Sequence, residues 1–263
     1  MLAARRLREK IQRGDIVTGI LVTDHLWPDL VEICHRAGMD YLIVDMEHGA
    51  GSTETVAEVC ATGRRMNFPV LLRPRANDYT NLRISMDLGP CGFLLATVES
   101  AEELDRAREA IYLPPRGRRR PGGMGNRWVA DLEGKTWRET VEDHFIVWPQ
   151  IESQTGLVNA DAIARHELTT SLAVGPYDLS ADLGVCGQMD HPRLTEALAQ
   201  LQAVAQAAGK AMWMIDSNVE RMLTGGWRLL CVGESMWILE QALRERVERA
   251  RGSSKDAAPR RAY

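Results

Sequence analysis

The sequence predicts a single (β/α)8 barrel, and three observations lead there. Short runs rich in Val, Ile and Leu recur along the chain, longer amphipathic segments separate them, and 263 residues are enough for one barrel with a large core. The apolar runs are Ile16–Val22, Tyr41–Asp45, Val70–Arg73, Gly92–Ala96, Phe145–Ile151, Ser171–Val174, Lys210–Ile215 and Leu229–Val232. None alternates strictly between apolar and polar, as expected of parallel strands covered on both faces. Helical spacing marks Pro28–Ala37, Thr53–Met66, Tyr79–Leu88, Ala101–Ala110, Thr155–Arg165, Arg193–Ala208, Val219–Thr224 and Met236–Arg251. The unbroken alternation fits a closed barrel over residues 1–251; taken alone it also fits an open doubly wound sheet.

Two segments interrupt this rhythm. Pro114–Arg127 is crowded with Pro, Gly and Arg, and a polar helical stretch follows it as far as Asp143. Connections of that length in a compact domain tend to be functional or mobile. The polar stretch 252–263 is expected to be a disordered tail.

Composition narrows the function classes. A net charge of −4 gives no basic field for nucleic acid, and Arg116-Gly117-Arg118-Arg119-Arg120 is too short to supply one. The five cysteines are scattered, with no C-x-x-C pair, which argues against a disulfide framework or a zinc knuckle. No stretch approaches a membrane span or a signal-peptide apolar region, so a cytoplasmic location is expected.

In such a barrel the chemistry sits where the strands end, because the βα loops converge there. Asp45, Glu47 and His48 follow the second strand in V-D-M-E-H-G, and Arg73 closes the third. Gln150 and Glu152 end the fifth in P-Q-I-E-S; Gly175 and Asp178 follow the sixth in G-P-Y-D-L-S. Each has a plain structural alternative: Asp178 can cap the next helix, His48 can be a loop histidine, and Arg73 can pair with a carboxylate. Four strand ends sending charged or imidazole groups to one mouth is harder to explain structurally, since burying them is costly without a metal or ligand. Glu152 and Asp178 form an oxygen donor set suited to a hard divalent ion. His48 can move a proton near neutral pH, and Arg73 offers a fixed donor fork to an oxygen gaining charge.

These motifs resemble the HpcH/HpaI aldolase family, the class II metal-dependent pyruvate aldolases. The resemblance runs from about Gly14 to Arg249 and rests on V-D-M-E-H-G, L-L-R-P-R-A-N-D, Y-L-P-P-R-G-R-R, P-Q-I-E-S and G-P-Y-D-L-S-A-D-L-G. It implies Glu152 and Asp178 as ligands of Mg²⁺, Mn²⁺ or Co²⁺, and His48 as a base acting through water. It implies Asp87 as the acid that raises the basicity of His48, and Arg73 as the group that stabilises the enolate. Gln150, Gly175 and the backbone at Tyr177 and Asp178 match pyruvate-binding positions, with Asp45 and Glu47 as supporting residues. The implied reaction is reversible cleavage of a 4-hydroxy-2-oxo acid to an aldehyde and a pyruvate enolate held at the metal. No Schiff-base lysine is required, and Lys210 opens its strand at the wrong end of the barrel.

Departures from the family pattern fall on the walls of the site. Arg120-Pro121-Gly122-Gly123-Met124-Gly125 stands where R-R-G-x-G is common, and the segment after strand seven, Met214–Asn218, looks about three residues shorter than in sugar-acid aldolases. Gly233-Glu234-Ser235 replaces a common Gly-Asp, and Arg75 takes an often aromatic place. They bear on the acceptor aldehyde. Two other readings stand beside the aldolase: a decarboxylase of the oxaloacetate type on the same site, and a barrel that only binds a 2-oxo acid. Met236, Leu239, Leu243 and Val247 make one apolar stripe, which fits packing on the chain's own barrel or on a neighbour. The resemblance favours the neighbour, in a trimer or hexamer, with Trp227 and Trp237 as candidate anchors.

Overall fold

Eight parallel strands close on themselves in chain order, the last pairing with the first. The computed structural model describes residues 1–120, 122–123, 127–130 and 133–252. The strands are β1 (Val17–Val22), β2 (Tyr41–Asp45), β3 (Val70–Arg73), β4 (Gly92–Leu95), β5 (Ile146–Ile151), β6 (Leu172–Val174), β7 (Met212–Ile215) and β8 (Leu229–Glu234). Val17 lies beside Leu229, and this closure excludes the open doubly wound sheet.

Helix α1 (Leu2–Gln12) precedes the barrel, and α2 (Leu30–Arg36), α3 (Thr53–Met66), α4 (Tyr79–Asp87) and α5 (Ala101–Ile111) follow the first four strands. The polar helix α6 (Gly134–Thr140) leads into β5, and α7 (Gln154–Val158) and α8 (Ala160–Arg165) leave it. Then come α9 (Pro176–Asp182), α10 (Pro192–Ala207), α11 (Val219–Thr224) and α12 (Ser235–Arg251). Several start on side-chain caps at the mouth. Ser52 accepts from Thr55 N, Asp78 from the N–H groups of Thr80 and Asn81, and Ser153 from Gly156 N.

Three sequence expectations need correction. The predicted helix Thr155–Arg165 is two helices that break at Asn159. The short helix α9 was offered by the sequence only as one that Asp178 could cap. Its N-cap is Gly175 with Pro176 at the first helical position, so Asp178 lies inside the first turn and is not the cap. Helix α1 was missed, because its buried face is only Ala3, Ala4 and Leu7 among charged residues. The expected disordered tail from 253 onward, together with Pro121 and 124–126 of the Arg-rich loop, lies outside the described residues.

Large side chains fill the barrel interior. Trp213 of β7 donates from Nε1 to the Tyr41 hydroxyl at 2.8 Å, which donates to the Leu230 carbonyl at 2.7 Å. Trp148 of β5 meets the Tyr41 ring edge-on at 5.2 Å. Gly19 makes room for this layer, since a Cβ there would lie 2.4 Å from the Tyr41 ring. Cys34, Cys60, Cys91 and Cys231 are buried free thiols, and burial pushes Cys91 and Cys231 up to about 12, so they act as core filler. Among the described residues no helix is long and apolar enough to cross a membrane.

Helix α12 stands apart. None of its 17 residues is buried, and Trp237, Leu239, Leu243 and Val247 are exposed. The chain's own barrel therefore covers only the half-buried start of the stripe, at Met236. Trp227, in contrast, is buried within its own fold and is not free to anchor a neighbour.

Candidate active site

Strand register brings the C-terminal residues of β2, β3, β5 and β6 to one level. Asp45 and Arg73 are direct neighbours, as are Ile151 and Val174, which places Glu152 beside Gly175. Arg73 donates to Asp45 from Nε at 2.9 Å and Nη2 at 2.6 Å, a fork-to-carboxylate pair. The same carboxylate accepts from the N–H groups of Glu47 and His48 and from the Thr23 hydroxyl. Burial alone would raise the Asp45 carboxyl, but Arg73 and the two backbone donors outweigh it and hold it below the usual range. Glu47 lies 3.3 Å from Arg73 Nε. Asp45 is thus the anchor that orients Arg73 and the turn carrying His48.

Glu152 is almost fully buried. Its Oε2 accepts from the Thr97 backbone N–H at 2.8 Å and the Thr97 hydroxyl at 3.0 Å. Burial, joined by the charge of Asp178, pushes its carboxyl up to about 7 against the Thr97 hydrogen bonds and the Arg73 charge. The other oxygen, Oε1, lies against Gly175, where a Cβ would sit 2.0 Å from it and 2.8 Å from Gln150 Nε2. Gln150 is buried, and its Oε1 has no hydrogen-bond partner among the described residues. Asp178 is exposed on the first turn of α9, and its carboxylate has no hydrogen bond or ion pair among the described residues. Tyr177 beside it is exposed as well.

This arrangement fits a divalent cation. Two carboxylates lie close enough to repel each other, and among the described residues Glu152 Oε1 accepts no hydrogen bond and the buried Gln150 amide oxygen lacks a donor. Among the described residues no group of three or more His, Cys, Asp and Glu could hold a metal. Glu152 and Asp178 would therefore leave most coordination positions to substrate and water, the pattern of a catalytic rather than a structural site.

The histidine and its expected partner are not in contact. His48 is exposed, with Nε2 3.9 Å from Glu47. The Asp87 carboxylate is engaged by Arg119 Nη2 at 3.0 Å and Arg83 Nη1 at 3.3 Å, and among the described residues no hydrogen bond or ion pair joins it to His48. Arg119 is fully buried with its guanidinium carbon 5.2 Å from the Trp137 ring centre, and among the described residues its Nε and Nη1 have no partner. Sequence reasoning passed over Arg119 because the Arg-rich loop looked solvated.

Thr97 was missed too. It follows β4 in A-T-V-E-S, which reads as an ordinary turn, yet its φ is +48°. A β-branched residue in the left-handed region costs on the order of 1–3 kcal/mol and persists only where its surroundings demand it. Here the demand is Glu152, which receives both Thr97 donors. The strand-end rule alone would have flagged this position.

A closed (β/α)8 barrel with a carboxylate, amide and arginine mouth defines the class: an enzyme acting on a small oxygen-rich substrate. The model of the HpcH/HpaI aldolase/citrate lyase family matches residues 25–236. The chain is similar to the 5-keto-4-deoxy-D-glucarate aldolase of Escherichia fergusonii, 31% identical over 222 residues that cover 80% of this chain and 83% of the relative. A protein of the same name from Citrobacter koseri is 31% identical over 226 residues, covering 82% and 84%. The crystal structure of an HpcH/HpaI aldolase from Desulfitobacterium hafniense superposes with a TM-score of 0.86 at 25% identity, covering 96% of this chain and 99% of that one. The chain belongs to the HpcH/HpaI aldolase/citrate lyase family. It is an aldolase, a lyase of carbon–carbon bonds.

Proposed function

We propose that the enzyme cleaves 4-hydroxy-2-oxo acids to pyruvate and an aldehyde, and joins the two in reverse, with a divalent cation held by Glu152 and Asp178. The observation that carries this is the Glu152 carboxylate, fixed on one oxygen by Thr97 and open on the other beside Gly175 and the unpaired amide oxygen of Gln150. When bound, Mg²⁺, Mn²⁺ or Co²⁺ supplies Lewis acidity to the oxygens of the 2-oxo acid. Gln150 and the free N–H groups of Tyr177 and Asp178 at the start of α9 orient the substrate carboxylate, which Gly175 admits by having no side chain. Arg73 stabilises charge as the C3–C4 bond breaks, with Asp45 and Glu47 holding its fork in place. His48 moves the C4 hydroxyl proton, directly or through water. Lys210 lies ahead of β7 at the opposite end of the barrel, which supports a mechanism without a Schiff base.

The test is a panel of aldehydes offered with pyruvate, with and without Mg²⁺, Mn²⁺ or Co²⁺, and cleavage of 5-keto-4-deoxy-D-glucarate, the substrate named by the relatives. Metal-dependent condensation is expected. Release of CO₂ from oxaloacetate with no reaction toward any aldehyde would replace the aldol reading by decarboxylation.

The Asp87–His48 coupling has its own test. If Asp87 raises the basicity of His48, Asp87→Asn shifts the acidic limb of the pH–rate profile downward, because a carboxylate favours imidazolium. Losing the counter-charge of buried Arg119 should also destabilise the fold by about 3–5 kcal/mol. A lower melting temperature with an unmoved profile would assign Asp87 to Arg119 alone.

We also propose a homo-oligomer, trimer or hexamer, in which α12 lies on a neighbouring barrel. Support comes from the exposed stripe of Leu239, Leu243 and Val247. Light scattering should give a particle several times 29.4 kDa, reduced to one chain by the double substitution Leu239→Glu/Leu243→Glu. A wild-type monomer at micromolar concentration would overturn this assembly.

A further inference from the structure

The face of the barrel opposite Glu152 carries a second concave site. A cavity of about 830 Å³ lies between α1, the segment ahead of β6 and the beginnings of β7 and β8. Three cations line it: Arg8 on α1, Lys210 ahead of β7 and Arg228 ahead of β8. None forms an ion pair among the described residues. Arg8 Nη1 donates to the Asp143 backbone carbonyl at 2.5 Å, and Lys210 Nζ to the Thr169 carbonyl at 2.6 Å. Both acceptors are neutral. The Asp143 carboxylate is close enough to be felt by Arg8 but is bound by Arg116 at 3.0 Å. Among the described residues one carboxylate lines the cavity, that of Glu167, and it is taken by Arg108 at 2.5 Å.

Arg8 and Lys210 are partly buried and near one another, and Arg228 is an exposed cation on the rim of the same cavity. Burial lowers the pKa of both Arg8 and Lys210, and the Arg8 charge lowers that of Lys210 further. Like charges gathered without a counter-charge cost the fold both repulsion and lost hydration. An anion in the cavity would offset both. The volume falls within the range of about 300–1,000 Å³ typical of small-molecule pockets and exceeds what one inorganic ion fills. Ile11, Met212 and Trp227 also line it, a surface for the less polar part of a larger ligand.

The geometry points to a binding pocket at the N-terminal face of the barrel for a small metabolite bearing an oxyanion, a carboxylate or a phosphate, held by Arg8, Lys210 and Arg228. The strands are three to six residues long, and at about 3.3 Å per residue they put roughly 10–20 Å between this pocket and the mouth. An anion bound here is therefore not a substrate in the position to react.

Inorganic phosphate and malonate serve as probes, each titrated into the full chain in the presence of a chelator and at chloride-matched ionic strength. Calorimetry should show saturable binding of one or both, and which of them binds identifies the anionic group. The melting temperature should rise by about 3–5 °C at saturation. Lys210→Met and Arg8→Met should weaken binding tenfold or more. Arg228→Met, at an exposed position that leaves the fold intact, should weaken it at least threefold. Glu152→Ala at the other face should leave it unchanged. The proposal is overturned if neither probe binds saturably, if Lys210→Met and Arg228→Met bind like the wild type, or if Glu152→Ala abolishes binding.

Discussion

Glu152→Gln should lower metal-dependent turnover by at least about a thousandfold while making the metal-free protein more heat-resistant at pH 8. The first effect follows from removing a ligand charge from a set of only two carboxylates. The second follows from burial. The Glu152 carboxyl is raised from 4.5 to about 7 in the folded chain. A group raised in this way stabilises the fold fully below its unfolded value and loses that contribution as pH rises through the folded one. Above pH 7 the metal-free protein thus carries an ionised, buried carboxylate at a cost on the order of 3 kcal/mol. The amide is neutral at every pH and can still accept from Thr97, so the variant should melt several degrees higher at pH 8 and nearly alike at pH 4. Bound cation reverses the comparison, because it stabilises only the wild type. Retained metal-dependent turnover in Glu152→Gln would remove Glu152 from the ligand set.

The second large effect is expected from a single added methyl group. In Gly175→Ala the new Cβ would lie 2.0 Å from Glu152 Oε1 and 2.8 Å from Gln150 Nε2. Neither distance is tolerable, and both neighbours are buried, so the carboxylate must turn away from the pocket. Displacements of about an ångström at a reacting centre can cost about a hundredfold, and turnover should fall at least that far. Overpacking should also lower stability by about 1–3 kcal/mol. The double variant Gly175→Ala/Glu152→Gln separates this from a general loss of fold. If the methyl group acts through the carboxylate, the double variant is no slower than Glu152→Gln alone. Near-normal turnover in Gly175→Ala would show that Glu152 is not held where the chemistry needs it.

Much of the barrel was legible because its signals are local. Tyr41–Asp45 and Val70–Arg73 are uninterrupted apolar runs, buried on both faces, and their predicted bounds match the observed strands. The strand-end rule then placed Asp45, Arg73, Gln150 and Glu152 at one level without any knowledge of contacts. Contacts were what it could not supply. That Asp45 binds Arg73 through two hydrogen bonds depends on a register between separate strands. That Asp87 faces Arg119 depends on the course of a loop 32 residues further on. Thr97 stands at a strand end but in A-T-V-E-S, which reads as an ordinary turn, and the start of α9 was obscured because Asp178 reads as a cap although Gly175 is the one used. Glu152, Asp178 and His48 stood out as strand-end groups of suitable chemistry, whereas Asp87 came from the resemblance alone.

Helix α12 extends about 25 Å if its 17 residues rise about 1.5 Å each, and among the described residues nothing buries any of its side chains. In the proposed assembly its thermal endurance is partly a property of how much protein is present. An apolar surface sealed only by association is sealed by mass action, so the melting temperature should climb with the logarithm of concentration. Dilution into an assay would start a slow loss of activity that no change at the catalytic mouth could prevent, and a crowding neighbour of the same kind would be the remedy.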